Sequence, residues 1–177
     1  SLGVDRYALL VEGKGSPDDN YVLDLKEARP SALLPLVDKL SLSQPHWPNE
    51  AARIIAVKER LQGTPPARLN TVEFESKPFV LCELQPTQDR VSLEKCRGNL
   101  ELLGPVLETM GELTAWGQLR GSGRQGSAIA DELIEFAQRP QWRQALLGAV
   151  QEAHDRVVAD YQAYRRTYKR GLVKVKS

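Results

Sequence analysis

A chain of 177 residues is long enough for one domain or two small lobes and can bury a core of its own. With 41% hydrophobic and 27% charged residues and a net charge of +1, it has the make-up of a globular protein and no overall field that would draw in nucleic acid or an acidic membrane. No apolar run approaches the roughly 20 residues that span a bilayer, and acid and base within the first six residues rule out a signal peptide there.

The chain starts at Ser1-Leu2-Gly3-Val4, almost directly in a strand, as a piece cut from a longer protein would. Tyr7-Ala8-Leu9-Leu10-Val11 and Tyr21-Val22-Leu23-Asp24-Leu25-Lys26 flank a stretch of turn formers, Gly13 to Asn20, and predict a β-hairpin over about 5–13 and 20–27. Period-two alternation puts Val22, Asp24 and Lys26 on one face and Leu23 and Leu25 on the other. Lys26 ends the second strand. A lysine there is commonly a solvated edge residue; beside a cleft it could neutralise phosphate oxygens if a carboxylate held it.

Arg29-Pro30-Ser31 breaks the strand, and residues 32–37 suggest a short helical segment. A clear helix follows over 49–62, with Asn49 as its N-cap, Glu50 at the positive end of the dipole, and Ile54, Val57 and Leu61 on one face. It offers Glu50 or Glu59 as the carboxylate for Lys26. Gly63-Thr64-Pro65-Pro66 stops it. Two more strands are expected, about 69–75 and 78–85, joined at Glu75-Ser76-Lys77-Pro78 and ended by Pro86.

The rest is helical, so the fold class is α+β: a small antiparallel sheet with a packed helix, then an all-helical portion. The border between the subdomains, 1–88 and 89–177, is expected in the connector from Pro86 to Arg90. Pro105 suits the first turn of a helix whose apolar stripe is Val106, Leu107, Met110, Leu113 and Gly117. Ser127 is expected to cap the next helix, and Pro140 to open a long one with Trp142, Leu146, Val150, Val157, Tyr161, Tyr164 and Tyr168 along its stripe.

Gly121-Ser122-Gly123-Arg124-Gln125-Gly126 matches GxGxxG letter for letter. A dinucleotide fingerprint needs a strand before that loop, and here a helix precedes it, so the match is rejected. Arg120 or Arg124 at the loop could still hold an anion; otherwise it is an interhelix connection. His46 and His154 have no ligand partners at metal spacing and read as structural. Cys82 and Cys96 show no CxxC pattern and read as reduced thiols of a cytoplasmic protein. The basic C-terminus, with Arg165, Arg166, Lys169, Arg170, Lys174 and Lys176, could contact phosphate backbones, but its tyrosines follow the packing stripe, which disfavours nucleic acid as a partner.

Five segments, SLGVDRYALLVEG, YVLDLKEARPS, NEAARIIAVKERLQ, FVLCELQPTQDR and MGELTAWGQLRGSGRQGSAIADEL, resemble the bacterial domain of unknown function 2252 family, a remote branch of the protein-kinase-like superfamily. The resemblance implies a two-lobed fold in which Gly3 ends a glycine-rich loop, Lys26 faces phosphate, Glu59 is a candidate helix acid, and Glu83 to Pro86, with Gln85 among them, border an adenine through backbone groups. It implies ATP with magnesium as the cofactor. The family's Gly-Asp-x-His-x-x-Asn motif lies upstream of the glycine loop and does not occur in these 177 residues. On this reading the chain is the C-terminal part of a kinase-like phosphotransferase, not catalytically competent alone and open to self-association. The alternative is a non-catalytic module that binds a protein or a metabolite on the same scaffold.

Overall fold

The structure is a computed structural model that describes residues 3–171. The two apolar runs at the start form strands β1 (Arg6–Val11) and β2 (Tyr21–Glu27), paired antiparallel from Arg6↔Lys26 to Val11↔Tyr21. A short helix, α1 (Leu34–Lys39), follows the break at Pro30. Helix α2 (Glu50–Leu61) begins where expected: the Asn49 Oδ1 accepts the Ala52 N–H at 2.9 Å, satisfying a donor that the first turn leaves without a partner. Strands β3 (Asn70–Phe74) and β4 (Lys77–Glu83) meet at a two-residue turn, where Glu75 and Ser76 both take positive φ, 49° and 59°. That geometry matches the twist of the flanking strands.

The four strands form one antiparallel sheet in the order β1-β2-β4-β3. The alternation read from β2 holds, with Leu23 and Leu25 buried. They share a face with Phe79, which is fully buried, and Tyr7, Phe74 and Phe79 form a ring cluster with centroids 5.7 to 6.1 Å apart. The opposite face carries Asp24, Lys26, Val80 and Cys82 through the pairs Asp24↔Cys82 and Lys26↔Val80. Helix α2 lies on this second face. Ala51, with no exposed surface, packs with Val80 and Ala28, and Ile54, Ile55 and Leu69 close around them.

One end of the sheet is tied by charge. The buried Glu27 carboxylate accepts the Asp5 N–H at 3.0 Å and pairs with Arg29 at 2.8 Å. Asp5 in turn pairs with Lys77 at 2.7 Å. The Asp5 N–H, and then Arg29, hold Glu27 below the usual carboxyl range. Lys77 does the same to Asp5, and Asp5 raises Lys77.

Beyond β4, two 3₁₀ turns, Thr87–Asp89 and Leu93–Cys96, lead to helix α3 (Leu100–Gly121). Here the expectation that Pro105 marks the first turn is corrected. The Asn99 Oδ1 accepts the Leu102 N–H at 3.1 Å and starts the helix a turn and a half earlier, leaving Pro105 inside it. The Asn99 cap satisfies a donor of the first turn, and Pro105, one turn further on, takes a backbone N–H out of the helix ladder. Helix α3 approaches the end of α2 at Gly121, where a Cβ would come 3.0 Å from the Leu61 Cδ2.

The chain divides into two compact units, one ending at Ile129 and one beginning at Ala130. Because α3 packs on α2, the first unit runs past the connector at 86–90 and takes in the first long helix. The second unit holds helix α4 (Ala130–Gln138) and helix α5 (Gln141–Lys169), whose 29 residues extend about 43 Å. Within it Phe136 stacks on Trp142 and Tyr164 on Tyr168. Ser127 does not cap α4. Its hydroxyl accepts the Arg124 N–H and donates to the Gly121 carbonyl, closing the glycine loop on itself. Among the described residues, no helix is long and apolar enough to cross a membrane.

Candidate functional site

Three elements of the first unit enclose a cleft of about 1260 Å³. Its sheet side presents Asp24, Cys82 and Arg6. The C-terminal end of α2 contributes Lys58 and Leu61, and the exposed side of α3 contributes Leu113, Trp116 and Arg120. The connector after β4, from Glu83 to Arg90, forms the rim. This placement follows from the register. Asp24 and Cys82 are direct cross-strand partners, so both point to the α2 side, and α2 ends before it can cover them.

The dominant polar feature of the sheet side is an ion pair. The Arg6 Nε lies 2.6 Å from the Asp24 Oδ1, and its Nη2 donates to the Asp24 Oδ2 at 3.0 Å. This fork-to-carboxylate geometry is the strong form of an ion pair. The bond to Asp24 raises the pKa of Arg6 further. Beside the pair, burial pushes the Cys82 thiol up, and the Asp24 charge adds to that effect, against the pull of Lys58 and Arg6. Cys82 and Cys96 are both free thiols.

The residues singled out in the sequence are distributed unevenly. Glu83 and Gln85 line the cleft. The N–H groups of Glu83 and Leu84 are already used, bonding to the Ala67 and Val22 carbonyls at 3.0 and 2.9 Å. The Gln85 carbonyl accepts the Arg90 Nη2 at 3.3 Å, and the Gln85 Nε2 donates to the Asp89 carbonyl at 3.3 Å. The connector is therefore braced by its own side chains. Lys26 lies on the sheet face of Arg6 and Asp24 but is exposed, makes no ion pair with any described residue, and is not among the cleft-lining residues. Neither α2 acid reaches it: Glu50 pairs with Arg53 at 2.6 Å, and Glu59 lines a separate pocket. Gly3 takes φ +80° with open space around it. Ser1 and Leu2, the start of the proposed glycine-loop tail, fall outside the described residues, as do Lys174 and Lys176 of the basic tail.

Sequence reasoning missed Arg6, Lys58 and Arg90 as cleft residues, and singled out Arg120 only as an anion holder at the glycine loop. Each looks like an ordinary surface cation in its own segment, and only the packing of α3 on α2 gathers them. One signal was readable: Arg6 stands opposite Lys26 in any hairpin centred on 13–20, which puts it diagonal to Asp24. Among the described residues, no group of three or more His, Cys, Asp and Glu side chains is placed to hold a metal.

A family model described as an uncharacterized protein conserved in bacteria, DUF2252, matches residues 1–167. No curated protein and no solved structure matches the chain.

Proposed function

The chain belongs to the DUF2252 family of uncharacterized bacterial proteins, and we propose that its cleft is the nucleotide site of a kinase-like phosphotransferase, with ATP and magnesium as the ligand. One observation carries this reading. A single cleft combines an apolar wall of Leu61, Leu84, Leu113 and Trp116 with the cations Arg6, Lys58, Arg90 and Arg120, which outnumber the carboxylates of Asp24, Glu83 and Asp89 in its lining. Apolar surface suits a base and sugar, and convergent cations suit a polyphosphate. The cleft exceeds the volume of most small-molecule sites, so a nucleotide fits with room for an acceptor.

In this reading Lys58 and Arg6 meet phosphate oxygens. Lys26, uncommitted to any described carboxylate, is the cation that can swing over the same face toward the phosphates. Magnesium would enter with the phosphates and neutralise their charge.

Mg-ATP at 100 times its Kd stabilises a protein by about 2.7 kcal/mol, which for a chain of this size raises the melting temperature by about 5–11 °C. Lys58→Ala and Lys26→Ala should each reduce that shift while leaving the ligand-free melting temperature in place. A melting curve unmoved by Mg-ATP would discard the nucleotide reading in favour of a module that binds a different metabolite or a protein.

A further inference from the structure

A second pocket, of about 620 Å³, lies where the end of α2 meets the end of α3 and the glycine loop. Three guanidinium groups line it, those of Arg60, Arg120 and Arg124, against a single carboxylate, Glu59. Arg60 is fixed in place: its Nη1 donates to the Gln125 Oε1, and its guanidinium lies 5.3 Å from the Trp47 ring centroid. Arg120 rests on the backbone at Gly63, where a Cβ would come within 2.8 Å of the Arg120 Nη2. The side chains of Arg120 and Arg124 make no hydrogen bond or ion pair with any described residue, and Glu59 pairs with none of the three arginines.

Like charges gathered this way repel one another, and the single carboxylate in the lining, Glu59, offsets only one of the three. Capping the α2 carbonyls would explain an arginine at that helix end. It does not explain these, because no carbonyl accepts a hydrogen bond from Arg120 or Arg124. What matches three forks around one space is a tetrahedral oxyanion, whose oxygens each accept from a guanidinium. The volume exceeds that of a bare ion and suits a phosphate carrying an organic group.

We propose that Arg60, Arg120 and Arg124 form a binding site for a phosphate-bearing small molecule, separate from the nucleotide cleft. The two spaces adjoin, with Gln62, Gly63 and Arg120 lining both, while Glu59, Arg60 and Arg124 line only the pocket. The proposal does not depend on the nucleotide reading.

Titration calorimetry of the protein with inorganic phosphate, pyrophosphate and glycerol phosphate at constant ionic strength tests it. Saturable one-to-one binding is expected, and Arg124→Gln should weaken it about tenfold, the loss of one charge-assisted hydrogen-bonding partner. Tighter binding of glycerol phosphate than of inorganic phosphate would identify an organic phosphate as the occupant, and the reverse order free phosphate. Lys58→Ala should leave the binding of inorganic phosphate and glycerol phosphate unchanged, pyrophosphate being an anion the nucleotide cleft can also take, whereas Arg124→Gln should leave the Mg-ATP melting shift unchanged, so the two sites fail separately. If none of the three anions binds saturably, or if Arg124→Gln and Arg60→Gln bind them as the parent does, the pocket is not such a site. Should Arg120→Gln fail to fold, the exposed Arg124 still decides the matter.

Discussion

Arg6 and Asp24 sit diagonally across the β1–β2 ladder and close a two-pronged ion pair at the mouth of the cleft, 2.6 and 3.0 Å between the bonded atoms. The arginine is 41% exposed and the aspartate 16%. A pair this open to solvent contributes little to folding, on the order of 0.5–1 kcal/mol. A double-mutant cycle with Arg6→Ala and Asp24→Ala in urea denaturation should return a coupling of that size. Its larger effect should fall on the ligand: Asp24→Ala frees the guanidinium and changes the charge of the cleft by one unit. The Mg-ATP melting shift should therefore grow in Asp24→Ala and shrink in Arg6→Ala.

Phe79 is the residue on which the exposed-helix-free face of the sheet depends. Its ring is fully buried between Tyr7 and Phe74. Phe79→Ala should cost about 3–5 kcal/mol, the range for deleting a buried aromatic ring, read as a lower urea midpoint. Phe79→Leu, which keeps most of the volume, should cost less than half as much.

Acid should weaken the sheet end through Glu27 and Asp5. Both have folded pKa values below their ordinary ones of 4.5 and 3.8. A depressed carboxyl contributes stability that is complete above its unfolded pKa and is lost as pH falls through the folded value. The loss therefore begins below about pH 4.5 and continues downward. Urea midpoints measured from pH 6 to 3 should fall, and Glu27→Gln should flatten that fall while lowering the midpoint at pH 6. Lys77 works in the opposite sense: its raised pKa gives stability that is lost only as pH rises above the ordinary lysine value of 10.5.

Helix α3 contains glycines with different surroundings. Nothing lies within 4 Å of a Cβ added at Gly111, whereas one at Gly121 would press on Leu61. Gly111→Ala should stabilise the protein by about 0.5–1 kcal/mol through helix propensity. Gly121→Val should destabilise it by about 1–3 kcal/mol by forcing α3 away from α2. Because that contact shapes the cleft, Gly121→Val should also reduce the Mg-ATP shift, while Gly111→Ala should not.

Cys82 gives an optical handle on the cleft. Its raised pKa keeps the thiol protonated at neutral pH, so alkylation should be slow at pH 7 and accelerate with pH. Since Cys82 lines the cleft, saturating Mg-ATP should slow its labelling further, with Cys96 as the internal reference. Equal labelling of Cys82 with and without nucleotide would place the ligand elsewhere.

Much of the architecture was legible in the chain. Alternation in Tyr21–Lys26 gave the buried and open faces of β2, Asn49 marked the start of α2, and Pro86 the end of β4, because these signals act within a few residues. The start of α3 was misread because Pro105 is a strong local sign, and Asn99, the residue that outweighed it, looks like any polar residue of a connector. The cleft residues were only partly legible. Glu83 and Gln85 were reached only through the family resemblance, and Lys26 drew attention as the strand lysine while Arg6 and Lys58 line the cleft.

What the sequence determined by itself is the succession of strands and helices, the cap of α2, and the two faces of β2; the apolar stripes expected on α3 and α5 are largely exposed, with Leu113, Val157 and Tyr161 each more than half open to solvent. The elements, the cap and the faces of β2 depend on backbone propensity and on periods of two and 3.6 residues. Which cations share a space was decided by the tertiary structure. Arg60 and Arg124 are 64 positions apart, and Arg6 and Arg120 farther still. They converge only because antiparallel pairing sets β2 against β4 and because α3 packs on α2, with Gly121 against Leu61. Contacts of that range leave no periodic trace in the chain, since their energy is realised only once both partners are in place.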